Sequence, residues 1–525
     1  MPLAHRKQHS RSSVTQLDSA FGRWEGCAIS RATASSERIV RPHAAIAYSA
    51  RLALVGCLTA VIAGSLASAA RAGDRIYYGN AGDYTIRFVN LDGTGGGKLD
   101  TGSAPVQGPY GTALDLSTGR IYWTDYDTNK ISYARLDGTG GGTLNTGSAT
   151  VKSPDGLAID PLARKIYWAD YGANKISFAR LDAPGGGDLV TGTATVNGPE
   201  GVAVDAATRK IYWANATGSL PVSFARLDGT GGGDLTPGTA IVSEPYGIAI
   251  DPTAGRAYWA NYGGADRISF VNLDNSGGGD FNTATALVNG PIGVALDPSA
   301  GKLYWANYVG NKLSFARLDN SGGGGDLNAG GATVTAPDFP VLLEVPRRRL
   351  PPAISGGSVV GVRLACSRGV WAADIVAAFL YRAPQSFSHQ WSRNGKNIPG
   401  ATGNSYKATA AGIYGCRVSA TNAAGTAMQT SAPHKVFAKA KIRKAEVDPA
   451  AHSARFSFKA RGGGNGFQCA LVKRKRGKGK RKKPSFSACK SPKTYKKLKP
   501  GTYTFEVRAL SAAGAGPAAK KTFKI

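Results

Sequence analysis

The sequence predicts an all-β chain: a six-bladed β-propeller followed by two β-sandwich domains. Three observations predict it. A Tyr-Trp stretch recurs at a fixed period through residues 74–345. Each period holds four short alternating apolar runs bounded by Gly, Pro, Asn or Asp. Beyond residue 346, two segments each carry a Cys pair set among alternating runs.

The clearest copy of the repeat is Ile166-Tyr167-Trp168-Ala169-Asp170; others open at Ile121, Ile211, Ala257 and Leu303, with a degenerate first copy at Ile76. The leading Tyr is residue 77, 122, 167, 212, 258 or 304, so the steps are 45, 45, 45, 46 and 46 residues. A constant period of this size is the mark of a repeat architecture. Before each Tyr-Trp comes Pro-x-Gly and an alternating run ending in Asp, as in Pro154 to Asp160. After it comes a second run, such as Lys175 to Asp182, then a Gly cluster and a short run near Leu189. No 11-residue window has helical periodicity, so each unit reads as four antiparallel strands. Residues 337–344 lie 46 residues after Pro291 and in register with the Pro-x-Gly runs. They are predicted to complete the first blade, closing the ring and removing its open edges.

Pro-x-Gly-φ-Ala-φ-Asp, φ-Tyr-Trp-Thr-Asp and Ile-x-φ-x-x-Leu-Asp-Gly together resemble the YWTD repeat of low-density-lipoprotein-receptor propellers. Ile121-Tyr122-Trp123-Thr124-Asp125 matches it letter for letter. The resemblance spans residues 74–345 and implies a six-bladed ring. The chain departs from the pattern in three ways. Most copies have Ala for Thr, three late copies have Asn for Asp, and Gly-Gly-Gly replaces the usual basic turn. No epidermal-growth-factor-like module flanks the ring, so the family's receptor partners are not implied.

Charge divides the 525-residue chain. Residues 1–72 hold 9 Lys plus Arg against 3 Asp plus Glu; 73–346 hold 19 against 27; 347–437 hold 11 against 1; 438–525 hold 25 against 3. An acidic ring is thus joined to a strongly basic tail. Upstream, Arg51 precedes an apolar run, Leu52 to Ala70, that ends in small residues. This pattern predicts a secretory signal cut after Ala69 or Ala72. An uncleaved membrane anchor is the alternative, and Leu54-Val55-Gly56-Cys57 resembles a lipoprotein box. The polar leader 1–42 is long enough to suggest a start codon placed too far upstream. The expected location is secreted or cell-surface.

Several recurrent residues read as structural. The Tyr-Trp pairs are expected to fill the space between blades. Asp115, Asp160, Asp205, Asp251 and Asp297 are expected to cap turns. Arg135, Arg180, Arg226 and Arg317 share one repeat position and suggest blade-to-blade ion pairs or a solvated face. The Gly clusters lack the Gly-Lys-Ser/Thr ending of a phosphate loop and recur too sparsely for calcium-binding nonapeptides.

Strand direction locates a candidate ligand face. In an antiparallel meander, the x of Pro-x-Gly and the loop after Tyr-Trp lie at the same end. The x residues are Tyr110, Asp155, Glu200, Tyr246, Ile292 and Asp338; the loops add Tyr126, Tyr171, Tyr262 and Tyr308. This end is aromatic and acidic. It suits a basic or carbohydrate-like partner or a cation, and the bland reading is an ordinary polar rim.

Pro346 to Pro352 reads as a stiff linker. Beyond it, Cys366, Trp391 and Cys416, with Tyr414 two residues before the second Cys, resemble an immunoglobulin-like sandwich of bacterial surface proteins. The last segment, from residue 438, resembles fibronectin-like or immunoglobulin-like repeats of exported bacterial proteins. The expected disulfides are Cys366–Cys416 and Cys469–Cys489, because other pairings would link two complete sandwich patterns. Between the second pair lies a run of nine cations in eleven residues: Lys473, Arg474, Lys475, Arg476, Lys478, Lys480, Arg481, Lys482 and Lys483. It reads as an extended tip, either a solvated loop or an anchor for polyanions such as anionic cell-wall polymer, lipid or extracellular DNA. No aromatic residues interleave with the cations, so sequence-specific nucleic-acid binding is not expected.

All six His lie outside the ring, and the ring has no Cys. Streptogramin-lyase-like propellers need a His base, so no catalytic residue, cofactor or metal is assigned. The expected function is exported, non-enzymatic binding of a protein or glycan, with a basic C-terminal anchor. The alternative is a metal-dependent, lactonase-like hydrolase or lyase using Asp155, Glu200 or Asp338.

Overall fold

The computed structural model describes residues 73–474 and 483–525. The apolar run at 52–70 and its signal reading therefore lie outside the described residues. Among the described residues, no helix is long and apolar enough to cross a membrane.

Each 45-residue unit folds as a four-stranded antiparallel sheet, with its two inner strands buried almost from end to end and Gly or Asn in the turns. In blade 2 the strands run Pro109–Asp115, Arg120–Asp125, Lys130–Arg135 and Gly141–Thr143, from the ring's centre outward. Six such sheets form the propeller. The first is composite: Pro337–Leu343 is its innermost strand and pairs antiparallel with Arg75–Asn80, in the register the sequence predicted.

The inner strands are buried from end to end. They approach so closely that a Cβ on Gly156 would lie 2.6 Å from Gly201 Cα, and one on Gly247 would lie 2.5 Å from Gly293 Cα. That approach is why the motif demands Gly at this place. The sixth place is held by Phe339, not Gly.

The Tyr-Trp strands pack between blades, where Tyr122 of blade 2 clusters with Trp168 of blade 3, and Trp123, Trp168, Trp213, Trp259 and Trp305 are fully buried. Trp213 Nε1 donates to the Thr195 carbonyl at 2.8 Å, tying its blade to the loop that enters the inner strand. The acidic or amide residue closing each motif is buried beside it. Asp170 accepts from Lys152 N at 2.9 Å and from Ser177 Oγ at 2.5 Å. Asn215 repeats this geometry, accepting from Asn197 N at 3.0 Å and donating to Ser223 Oγ at 2.8 Å.

Blades are bridged by ions at the opposite end, but not through the arginines the repeat suggested. Asp115 caps its own turn at Ser117 N, 3.1 Å, and takes a two-pronged bond from Arg164 of the next blade at 3.0 and 2.8 Å. Asp160 and Arg209 repeat the pair. Arg180 and Arg317 instead reach Asp182 and Asp319 within their own exposed turns. Their position is the solvated face.

Residues 347–437 do not fold apart from the ring. Leu380–Tyr381 pairs in parallel with Leu342 and Leu343, on the channel side of the innermost strand. The 3-10 turn Val376–Ala378 packs on the inner strands of blades 3 to 6. The rest of this segment forms two facing sheets around Leu364, Trp391, Tyr414 and Val418, joined by Cys366–Cys416. The last segment packs Lys439–Asp448, Ser453–Arg461 and Lys493–Tyr495 against a sheet built on Gly466–Lys473 and Thr502–Ser511. Phe456, Phe458, Phe505 and Phe523 form its core, and Cys469–Cys489 staples the hairpin base within one sheet.

Candidate functional site

The inner strands all start at one end of the ring, and the loop after each Tyr-Trp returns there. Backbone bonds fix those loops: Tyr126 N donates to Gly108 O at 3.0 Å, Tyr262 N to Glu244 O at 3.1 Å and Tyr308 N to Gly290 O at 2.9 Å. The candidate residues therefore gather at one face, in two layers.

The lower layer is the x residues, and it is sealed from solvent. Tyr110 is 8 % exposed, Tyr246 6 %, Glu200 2 %, Asp155 1 %, and Ile292 and Asp338 0 %. Any face reading that puts these six in contact with a bulky ligand is corrected by that burial. Phe339 explains it. Lacking a glycine's openness, the sixth inner strand sends a phenyl ring toward the opposite side of the channel, where a Cβ on Gly156 would lie 3.0 Å from Phe339 Cε1. Phe339 packs with Tyr110, Tyr246 and Ile292, and its carbonyl accepts from Thr112 Oγ1 at 2.5 Å. The signal was present in the sequence: Pro337-Asp338-Phe339 stands where the other repeats have Pro-x-Gly.

The upper layer is the loop tyrosines. Tyr126, Tyr262 and Tyr308 are half-buried, and Tyr171, in the 3-10 turn Tyr171–Ala173, is exposed. Tyr126 packs on Tyr110 with ring centroids 5.1 Å apart, and Tyr262 on Tyr246 at 5.0 Å. Tyr308 meets Tyr262 edge-on at 6.4 Å. Each pair is a half-buried ring supported by a buried one. Tyr171 stands apart from this cluster.

Among the described residues, no three His, Cys, Asp or Glu side chains form a group able to hold a metal, and Asp155, Glu200 and Asp338 do not make such a group. At the far end the channel is filled by the inserted segment. Leu342 N donates to Phe379 O and Glu344 N to Tyr381 O, both at 2.8 Å. Arg382, fully buried, lies beside Asp297 and Glu344 and donates to Ser299 Oγ at 2.5 Å. Nothing in the repeat pattern pointed to Arg382.

Of the polyanion candidates, Lys473, Arg474 and Lys483 are described and exposed. Lys475, Arg476, Lys478, Lys480, Arg481 and Lys482 lie outside the described residues.

Residues 119–161 match the family described as low-density lipoprotein receptor repeat class B. No curated protein matches the chain. Among solved structures, a chain of the nidogen/laminin complex is similar at 20 % identity over 51 % of this chain and 98 % of its own, with a TM-score of 0.43. A gluconolactonase from Xanthomonas campestris is similar at 16 % identity over 56 % of this chain and 91 % of its own, TM-score 0.34. Hydrazine synthase from Kuenenia stuttgartiensis is similar at 14 % identity over 46 % of this chain and 73 % of its own, TM-score 0.35. No function is carried from them to this chain.

Proposed function

We propose that this chain is an exported, non-enzymatic binding protein. Its propeller recognises a protein or glycan through the tyrosine face, and its basic last domain docks on polyanions. The observation that carries this reading is the aromatic cluster at one end of the ring. Tyr126, Tyr262 and Tyr308 are half-buried on a layer of Tyr110, Tyr246, Ile292 and Phe339, so a ligand at this face would meet the loop tyrosines first. Aromatic rings held on a rigid frame lose little entropy on binding and suit sugar faces or partner side chains.

The test is a glycan array and a pull-down with the full chain beside a Tyr126→Ala, Tyr262→Ala, Tyr308→Ala variant. The expected result is a bound class that the variant loses by tenfold or more. Equal binding by both proteins removes the face from the reading. Elemental analysis showing a stoichiometric divalent metal in the purified chain would favour the hydrolase alternative instead.

A further inference from the structure

We propose that the last sandwich carries a preformed cationic groove that seats a linear phosphodiester polymer. This deepens the polyanion reading of the basic domain, and it places binding on described residues of the sandwich and of the hairpin base, apart from residues 475–482.

Two cavities lie side by side on this domain. One, of about 1330 Å³, is lined by Lys473, Arg474, Lys483 and Lys524 among others. The second, of about 720 Å³, is lined by His452, Lys496, Lys497 and Lys499. Pro500 lines both, so the two cavities meet at that residue, and together they make the proposed track. The walls are held by backbone bonds: Leu498 N donates to His452 O at 2.9 Å and Arg474 N to Thr502 O at 2.8 Å. The cations are therefore mounted on a rigid frame.

No Asp or Glu lines the track. The three acids of residues 438–525 are engaged elsewhere. Glu446 pairs with Lys444 at 2.7 Å, Glu506 pairs with Lys520 at 2.9 Å, and Asp448 accepts from Ala451 N at 2.9 Å. Like charges also oppose one another on the neighbouring sheet, where Lys439 faces Arg461 and Lys441 faces Lys459. Directly opposed like charges destabilise a sheet. A polyanion seated on the track releases counterions from the lysines there.

The lining selects the kind of polymer. It contains no Phe, Tyr or Trp, so it offers nothing on which a base or sugar ring could stack. Six of its seven Lys and Arg residues are lysines, compact point charges that read charge density along a backbone. A chain whose charges lie in its backbone, such as a phosphodiester polymer, matches that lining.

The test measures binding of an abasic deoxyribose-phosphate oligomer and of heparin to the full chain across a salt series. The comparison is a Lys496→Gln, Lys497→Gln, Lys499→Gln variant, which leaves the hairpin intact. The expected result is a slope of log affinity against log salt that is shallower by about 2, with binding at least tenfold weaker at low salt. Far-ultraviolet circular dichroism should be unchanged. A variant with native slope and affinity overturns the groove. A second variant replaces residues 475–482 by a short Asp-Gly-Gly turn and keeps Lys473, Arg474 and Lys483 of the groove. If it still binds the oligomer and the lysine variant does not, the groove stands and the hairpin anchor falls. Tighter binding of heparin than of the oligomer overturns the assignment to phosphodiesters.

Discussion

Arg382 Nη1 lies 3.8 Å from Glu344 Oε2, and both side chains are only 2 % exposed. Arg382 belongs to the inserted segment and Glu344 follows the ring's closing strand, so this pair joins the two through buried charge. Burial pushes the Glu344 carboxyl up to about 7, and the neighbouring Asp297 adds to the rise. Truncating the arginine would leave Glu344 and Asp297 buried without it.

Arg382→Ala is therefore expected to destabilise the chain by about 3 kcal/mol, since removing one partner of a buried pair strands the other. Urea unfolding of the two proteins at pH 7.5 measures it. A loss under about 1 kcal/mol would mean that Arg347, 3.1 Å from Glu344, neutralises the carboxylate by itself.

A chain ending at residue 346 keeps every blade but loses the inserted segment. Phe379, Leu380 and Tyr381 are all buried against the ring. Their removal is expected to cost roughly 5 kcal/mol relative to a chain ending at 437, at about 1.5–3 kcal/mol per large side chain. Equal thermal midpoints for the two truncations would show that the ring closes without the insertion.

Asp125 and Asp170 are pushed up from 3.8 to about 6 by burial. Between those values the folded chain keeps protons that the unfolded chain has released, so stability falls as pH rises from about 4 to about 6 and stays lowered above. The Asn residues of blades 4 to 6 make the same bonds without that charge. An Asp125→Asn, Asp170→Asn variant should be more stable at pH 7.5, by up to about 3 kcal/mol per site, and should lose the slope between pH 4 and 6. Parallel stability profiles for variant and native chain would contradict this.

Phe339→Ala should open the channel beneath the tyrosines. The expected loss is about 3 kcal/mol, the size of emptying a buried phenyl site. Denaturant unfolding measures it, and an unchanged midpoint would show that the ring is not part of the core at that end.

The repeat, the strand order and ring closure were legible in the sequence because they are local. A blade buries the same face six times, so Tyr77, Tyr122 and their successors had to recur at one spacing. Pro337 to Glu344 betrayed itself by keeping that register. The cysteine pairs were readable for the same reason, since each falls inside one sandwich pattern. The site was only half legible. Strand direction placed Tyr126, Tyr262 and Tyr308 at the same end as Tyr110 and Tyr246, but direction carries no depth. Whether Asp155 or Glu200 reaches solvent depends on what the closed ring packs around it, and Phe339, whose ring lies close to Gly156, arrives from a strand more than 130 residues downstream.

What the sequence determined by itself is the blade, because its pattern is written within 45 consecutive residues. What only the tertiary structure decided is the channel. The run from Ile375 to Tyr381 reads locally as one more apolar sandwich segment. The edge it pairs with, at Leu342 and Leu343, exists only after the first and last blades have met. Arg382 finds Glu344 for the same reason: a buried charge is matched by whatever the closed ring brings beside it, and no repeat spacing records that pair.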